Sequence, residues 1–206
     1  MNLALRRPGM YGGEPALRLI LNHLLFVERA QDDWGERQIS LERRGAWTST
    51  GVTGAFRLLL PGPHEHAMAS VYAEYAHARG WLAPDRVLTA TEHAALRAAA
   101  RSWVHCDRVW ADVTAEFGPP SVHLGGTNPL YGKVLAYLSE DPGDPIVFFH
   151  LWNGGGPGRQ GAWPPEREEP ILLAVRFGDG PFSETFTFTP EGRRRKPEDP
   201  RLYFGT

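Results

Sequence analysis

Lys133-Val134-Leu135-Ala136-Tyr137-Leu138 and Ile146-Val147-Phe148-Phe149-His150-Leu151 are two short apolar runs joined through Glu140-Asp141-Pro142-Gly143-Asp144. Runs of this length bounded by turn residues read as strands, and Asp-Pro-Gly-Asp supplies the turn chemistry of a hairpin. The same texture continues on both sides, in Ser121 to Leu124, Ile171 to Phe177 and Ser183 to Thr189. A second hairpin signal, Gly178-Asp179-Gly180, separates the last two, and Phe186 and Phe188 share one face of the final strand. An antiparallel meander is therefore expected after residue 120.

Upstream of this sheet the periodicity changes. Thr89-Ala90-Thr91-Glu92 places Thr three residues before Glu, the capping box that satisfies two orphan amides at a helix start. From Glu92 to about Phe117, Leu96, Ala99, Ala100, Trp103, Val104, Trp110 and Val113 make one wide apolar face, and Gly118-Pro119-Pro120 ends it. His66 to Ala78 reads as a second helix, closed by Gly80. Glu14 to Ala30 reads as a third, with Leu17, Ile20, Leu21, Leu24 and Leu25 at three- and four-residue spacing and Pro15 in the first turn. Between them, Arg37 to Leu60 alternates over Gln38 to Glu42 and is punctuated by Gly45, Gly51 and Gly54, which predicts two or three strands before Pro61-Gly62-Pro63. The expected fold is α+β: an N-terminal helix with short strands, a long central helix and a C-terminal antiparallel sheet, in a single globular domain over residues 1–206.

A chain of 206 residues buries roughly 70% of the surface its unfolded form exposes, enough for one core without staples. The longest apolar stretches, Leu58 to Leu60 and Ile146 to Trp152, fall far short of the roughly 20 residues that cross a bilayer, so no membrane partner is expected. Met1 to Leu5 is too short an apolar run for a signal peptide, and a single cysteine, Cys106, leaves no intramolecular disulfide; a cytoplasmic location fits both. The net charge of −2 argues against a general grip on nucleic acid. Arg193-Arg194-Arg195-Lys196 is the local exception and reads as a solvated turn or tail.

The opening carries the one named likeness. Arg6-Arg7-Pro8-Gly9-Met10-Tyr11-Gly12-Gly13, followed at once by a helix, resembles the start of the ATPase domain in type II topoisomerase B subunits, which are GHKL ATPases; the resemblance spans residues 6–60. In that family the motif reads Arg-Pro-Gly-Met-Tyr-Ile-Gly, and the next helix carries a catalytic Glu followed by an Asp and a magnesium-binding Asn. This chain offers Glu28 with Gln31 and Asp32, without an Asn in the metal position. Gly51-Val52-Thr53-Gly54 lacks the aspartate of the family's adenine-binding Asp-x-Gly-x-Gly, and Gly154-Gly155-Gly156 lacks the features of its lid. The resemblance implies a degenerate GHKL-like protein that binds a nucleotide through Tyr11, Glu28 and Asp32 without hydrolysing it.

Other candidate chemistry is weaker. His64-Glu65-His66 has the spacing for two imidazoles on one strand face, but the flanking prolines make it a loop and surface histidines are expected. In His105-Cys106-Asp107 neighbours on a helix point about 100° apart, so Cys106 reads as a core residue unless His123 or His150 completes it. Leu124-Gly125-Gly126-Thr127-Asn128 precedes Pro129 and reads as a turn rather than a phosphate cradle. No catalytic residue, metal site or cofactor is therefore expected.

The tryptophans point elsewhere. Trp34, Trp47, Trp81, Trp152 and Trp163 fall at element ends or in loops, where tryptophan is enriched as an interface anchor. Trp152-Asn153-Gly154-Gly155-Gly156 with Trp163 combines aromatic surface with a Gly- and Pro-rich loop. The expectation is a non-catalytic cytoplasmic module that binds another protein through Trp152, Asn153, Trp163 and Trp47, of the toxin-neutralising (immunity) type or a regulatory type. The Arg-, Ala-, Gly- and Pro-heavy composition suggests a bacterial source with a GC-rich genome. The sequence does not fix the oligomeric state.

Overall fold

A computed structural model describes residues 1–62, 64–128, 130–154 and 166–197. The chain begins with α1 (Asn2–Arg6) and a 3-10 turn (Pro8–Tyr11), then α2 (Gly13–Glu28), α3 (Gln31–Arg44), α4 (Val52–Arg57) and α5 (Glu65–Ala78). Next come α6 (Ala90–Trp103), α7 (Trp110–Phe117) and the strands β1 (Val122–Leu124), β2 (Lys133–Tyr137), β3 (Val147–Trp152) and β4 (Ile171–Arg176). A 3-10 turn (Phe182–Thr185), β5 (Phe186–Phe188) and α8 (Pro190–Arg195) complete the described chain.

The strands form one antiparallel sheet in sequence order, β1-β2-β3-β4-β5, as the turn residues between them predict. Every residue of β2, β3 and β4 is buried, because the sheet is covered on both faces and its central strands therefore need no polar side. One face, with Val134, Ala136, Phe148 and Leu173, packs against α1, α2, α4 and α5. The other, with Leu135, Tyr137, Phe149 and Val175, packs against Leu96, Ala100 and Val104 around α6 and Val113 of α7. The fold is α+β, with the sheet between two helical layers.

Three expectations are corrected. Arg37 to Leu60 holds no strand: it contains the end of α3, a tight Thr48–Gly51 turn and α4. Trp34 and Leu41, seven residues apart, are the buried side of α3, and Gly45 is its left-handed C-terminal cap (φ 77°) rather than a strand bend. The long helix from Glu92 to Phe117 is two helices, although its Thr89–Glu92 capping box is present as predicted. The chain leaves the helix because residues 108–110 run along the start of β4: Leu172 N donates to Arg108 O (2.8 Å) and Trp110 N to Pro170 O (3.0 Å). The last strand is shorter than expected because Phe182–Thr185 forms the 3-10 turn.

The basic run is likewise structured. Arg193 to Arg195 form the last turn of α8, where Arg194 pairs with Glu191 and Asp107, and Arg195 with Glu191 and Glu166. Gly192 sits so close to β4 that a Cβ there would lie 1.9 Å from Leu173 O, the residue at the one-residue bulge between β3 and β4.

Candidate functional site

The opening octet builds a corner. Pro8 to Tyr11 turn in a 3-10 helix, Gly12 (φ 93°) and Gly13 (φ 66°) both take the left-handed conformation, and α2 starts in a new direction. That corner delivers the Glu14 carboxylate, 7% exposed, beneath α4. Its oxygens accept from Val52 N (2.9 Å), Thr53 N (2.9 Å), Thr53 Oγ1 (2.7 Å) and Tyr72 Oη (2.9 Å). A carboxylate at a helix start satisfies otherwise orphan amides and complements the helix dipole. Burial and the Glu14 charge hold the Tyr72 phenol well above its usual range, so it donates at all physiological pH values.

Above this corner lies an open cleft of about 330 Å³ lined by Glu14, Arg18, Thr50, Thr53, Arg57 and His64. It adjoins a broader groove of about 610 Å³ bounded by Arg18, Gln38, Glu42, Trp47 and the hydroxyls of Thr48, Ser49 and Thr50. Arg18 lines both and lies over the Trp47 ring at 5.1 Å, a cation–π contact that holds the indole at the groove wall.

Arg18 also begins the outward half of α2. Leu17, Leu21 and Leu25 face the core, whereas Arg18, Leu19, Asn22, His23, Phe26 and Val27 are exposed. Residues three and four apart are neighbours on a helix, so these six form one continuous surface. Leu19 is 58% exposed, Phe26 69% and Val27 78%, on a helix whose inner side is fully packed. Met10 and Tyr11, in the turn that precedes α2, are exposed as well.

No family model, curated protein or solved structure matches this chain.

The residues singled out from the sequence are scattered. Trp152 is the last residue of β3 and only 5% exposed, with Arg195 stacked over its ring at 4.5 Å; Asn153 is buried beside it. Their flat surfaces are spent inside the fold. Trp163 lies outside the described residues. Trp47 is half-buried and lines the groove, so of the three described residues it is the one on the surface just described. Tyr11 and Glu28 lie at opposite ends of α2, whose 16 residues span about 24 Å. Glu28 accepts from Arg79 and from Trp81 Nε1, which together hold its carboxyl below the usual range, and Asp32 is exposed in the first turn of α3.

The histidines differ most from expectation. His64 precedes α5 and its Nε2 donates to Leu60 O (2.9 Å), while His66, in the first turn of α5, packs on the start of β2. A Cβ at Gly132 would lie 3.2 Å from His66 Nε2, so the glycine makes room for the imidazole. Burial, reinforced by His64, Lys133 and His123, lowers His66 to about 4; burial, with Lys133 and Arg6, lowers His123 to about 4. Lys133, fully buried, is lowered to about 8 by desolvation; its Nζ donates to Asn128 O (2.8 Å) and lies 4.0 Å from the Trp110 ring centroid. Among the described residues no three His, Cys, Asp or Glu side chains converge as a metal site, and Cys106 is exposed rather than in the core.

One buried charge was not legible at all. Arg176 of β4 is fully buried, donates to Glu74 Oε1 (2.7 Å) and Ser70 Oγ (3.0 Å), and stacks over Phe148 at 4.5 Å. Its partners lie 102 and 106 residues away in sequence, in α5.

Proposed function

We propose that this chain is a non-catalytic protein-binding module that engages its partner through the outward side of α2 and the adjoining Trp47 groove. The observation that carries this reading is the set Leu19, Phe26 and Val27, more than half exposed on a helix whose opposite side is packed in the core. Apolar clusters rimmed by polar groups mark interaction surfaces, and here Arg18, Asn22 and His23 provide the rim. A protein partner is favoured over nucleic acid by the net charge of −2 and by the engagement of Arg194 and Arg195 with carboxylates. No helix of the described residues is long and apolar enough to cross a membrane.

Within this class we favour a toxin-neutralising (immunity-type) or regulatory role in a bacterial cytoplasm. Support for that narrower reading comes from the Arg-, Ala-, Gly- and Pro-heavy composition and the single cysteine. Leu19→Glu/Phe26→Glu, which changes only exposed positions, tests the surface. The variant is expected to fold with an unchanged melting temperature and to lose co-purification with the partner from the native host. Undiminished co-purification would overturn the assignment.

A further inference from the structure

The inner end of β3 holds a polar problem that the protein's own groups do not solve. His150 is 2% exposed and neither ring nitrogen has a partner among the described residues; Trp152, two residues on and on the same face, is 5% exposed and its Nε1 has none among them either. Buried polar groups left without any partner are rare, because each forfeits its bonds to water. Apolar neighbours surround the His150 ring: the centroids of Phe56 and Phe186 lie 5.5 and 5.6 Å away. Rotating the imidazole therefore offers it nothing better on that side.

Both side chains line one small cavity between β3 and the start of α5, together with Leu60, His64, His66 and Ala67. The centre of a water-sized sphere can range over about 10 Å³ within it, close to the lower limit of about 10–15 Å³ for holding one water molecule. A larger ligand does not fit, and a cavity that three histidines and a tryptophan line beside Leu60, Ala67 and Leu173 differs from the wholly apolar voids that stay dry.

We infer that this cavity is a binding site for a single internal water molecule, held between Trp152 Nε1 and the His150 ring. The donor and acceptor roles of the indole and of one imidazole nitrogen are complementary. Indole N–H can only donate, so it donates a hydrogen bond to the water oxygen; a neutral imidazole has one acceptor nitrogen, which accepts a hydrogen bond from the water. The water keeps a second proton and a lone pair for the remaining wall, where His66 and His64 stand. Burial and the Arg176 guanidinium keep His150 in the neutral form that this pattern needs. Bridged in this way, the last turn of β3 is tied to the residues that lead into α5.

The test uses the full chain. In a crystal structure of a resolution that shows ordered solvent, one isolated peak is expected within hydrogen-bonding distance of both Trp152 Nε1 and a His150 ring nitrogen. In solution, the Trp152 indole proton should show a cross-relaxation peak to a long-lived water, and His150→Phe should abolish it while the remaining amide spectrum stays native. A wild-type cavity without density, or with density too large for water, would overturn the inference, as would persistence of the cross-peak in His150→Phe. Should that variant not fold, the wild-type density alone decides.

Discussion

The Glu14 carboxylate occupies the space that a side chain at residue 51 would need: a Cβ on Gly51 would lie 2.4 Å from Glu14 Oε1. Gly51 also has φ 76° and ψ −157°, a region that is essentially open only to glycine. The octet at the start of the chain and the glycine before α4 are therefore two halves of one local device, joined by a carboxylate that accepts from three residues.

Gly51→Ala is expected to destabilise the fold by about 1–3 kcal/mol, from backbone strain alone, with the displaced carboxylate adding to it. Glu14→Gln keeps the shape but turns one acceptor into a donor facing amides, and an unmade bond of this kind costs about 1–3 kcal/mol. Urea unfolding of each variant measures both. Unchanged midpoints would mean that the corner is not held by this contact.

A pH effect follows from the histidines. His66 and His123 are lowered to about 4, and His64, His77, His93 and His150 are also lowered, in each case chiefly by burial. The unfolded chain binds protons near pH 6.5 whereas the folded chain does not, so stability is fully present above that value and falls as pH drops toward 4. His66→Gln or His123→Gln, if folded, should each reduce the slope of stability against pH in this window by up to about 1.4 kcal/mol per pH unit, the equivalent of one proton. Denaturant midpoints from pH 7 to 4 give the slope, and parallel curves for wild type and variants would contradict the assignment.

Removing one partner of a buried ion pair strands the other. Glu74→Ala leaves the fully buried Arg176 with only Ser70 and should cost about 3–5 kcal/mol. Arg176→Met should cost less, because Glu74 keeps Arg37 at 3.4 Å and is partly exposed. Chemical denaturation of both variants gives the order, and the reverse order would show that Glu74 rather than Arg176 bears the desolvation.

These effects show where the sequence spoke clearly. The runs Lys133 to Leu138 and Ile146 to Leu151 and the Thr89–Glu92 box state their structures locally, since turn chemistry and caps depend on near neighbours. Gly45 and Gly51 were ambiguous because the same residue type ends a helix, permits a tight turn and bends a strand; only the partner, Glu14 in the case of Gly51, decides. Trp152 looked like a loop anchor because β3 extends one residue beyond the apolar run, and Arg195, which covers it, is 43 residues away in sequence. Arg176 and Lys133 fall within the apolar strand runs, where nothing local marks a buried charge; their burial depends on rings and carboxylates from distant elements. The outward side of α2 was visible as the complement of its leucine stripe, yet what makes it a candidate surface is that no described element covers it.

The nucleotide expectation has a simple check. Tyr11 and Glu28 lie a helix length apart and Glu28 is engaged by Arg79 and Trp81, so ATP or ADP with magnesium is expected to leave the melting temperature unchanged. A ligand at a hundred times its Kd would stabilise the native state by about 2.7 kcal/mol, and a shift of that size would favour the GHKL-like reading over the protein-binding one.

The most direct test of the binding surface is site-specific photo-crosslinking in the native host, with a photoreactive residue replacing Phe26 on α2 or, as a control, exposed Glu116 on α7. One saturable adduct with a single protein is predicted at position 26, lost when Leu19→Glu is added and absent at position 116. No adduct at 26, or the same adduct at both positions, would contradict a partner seated on α2.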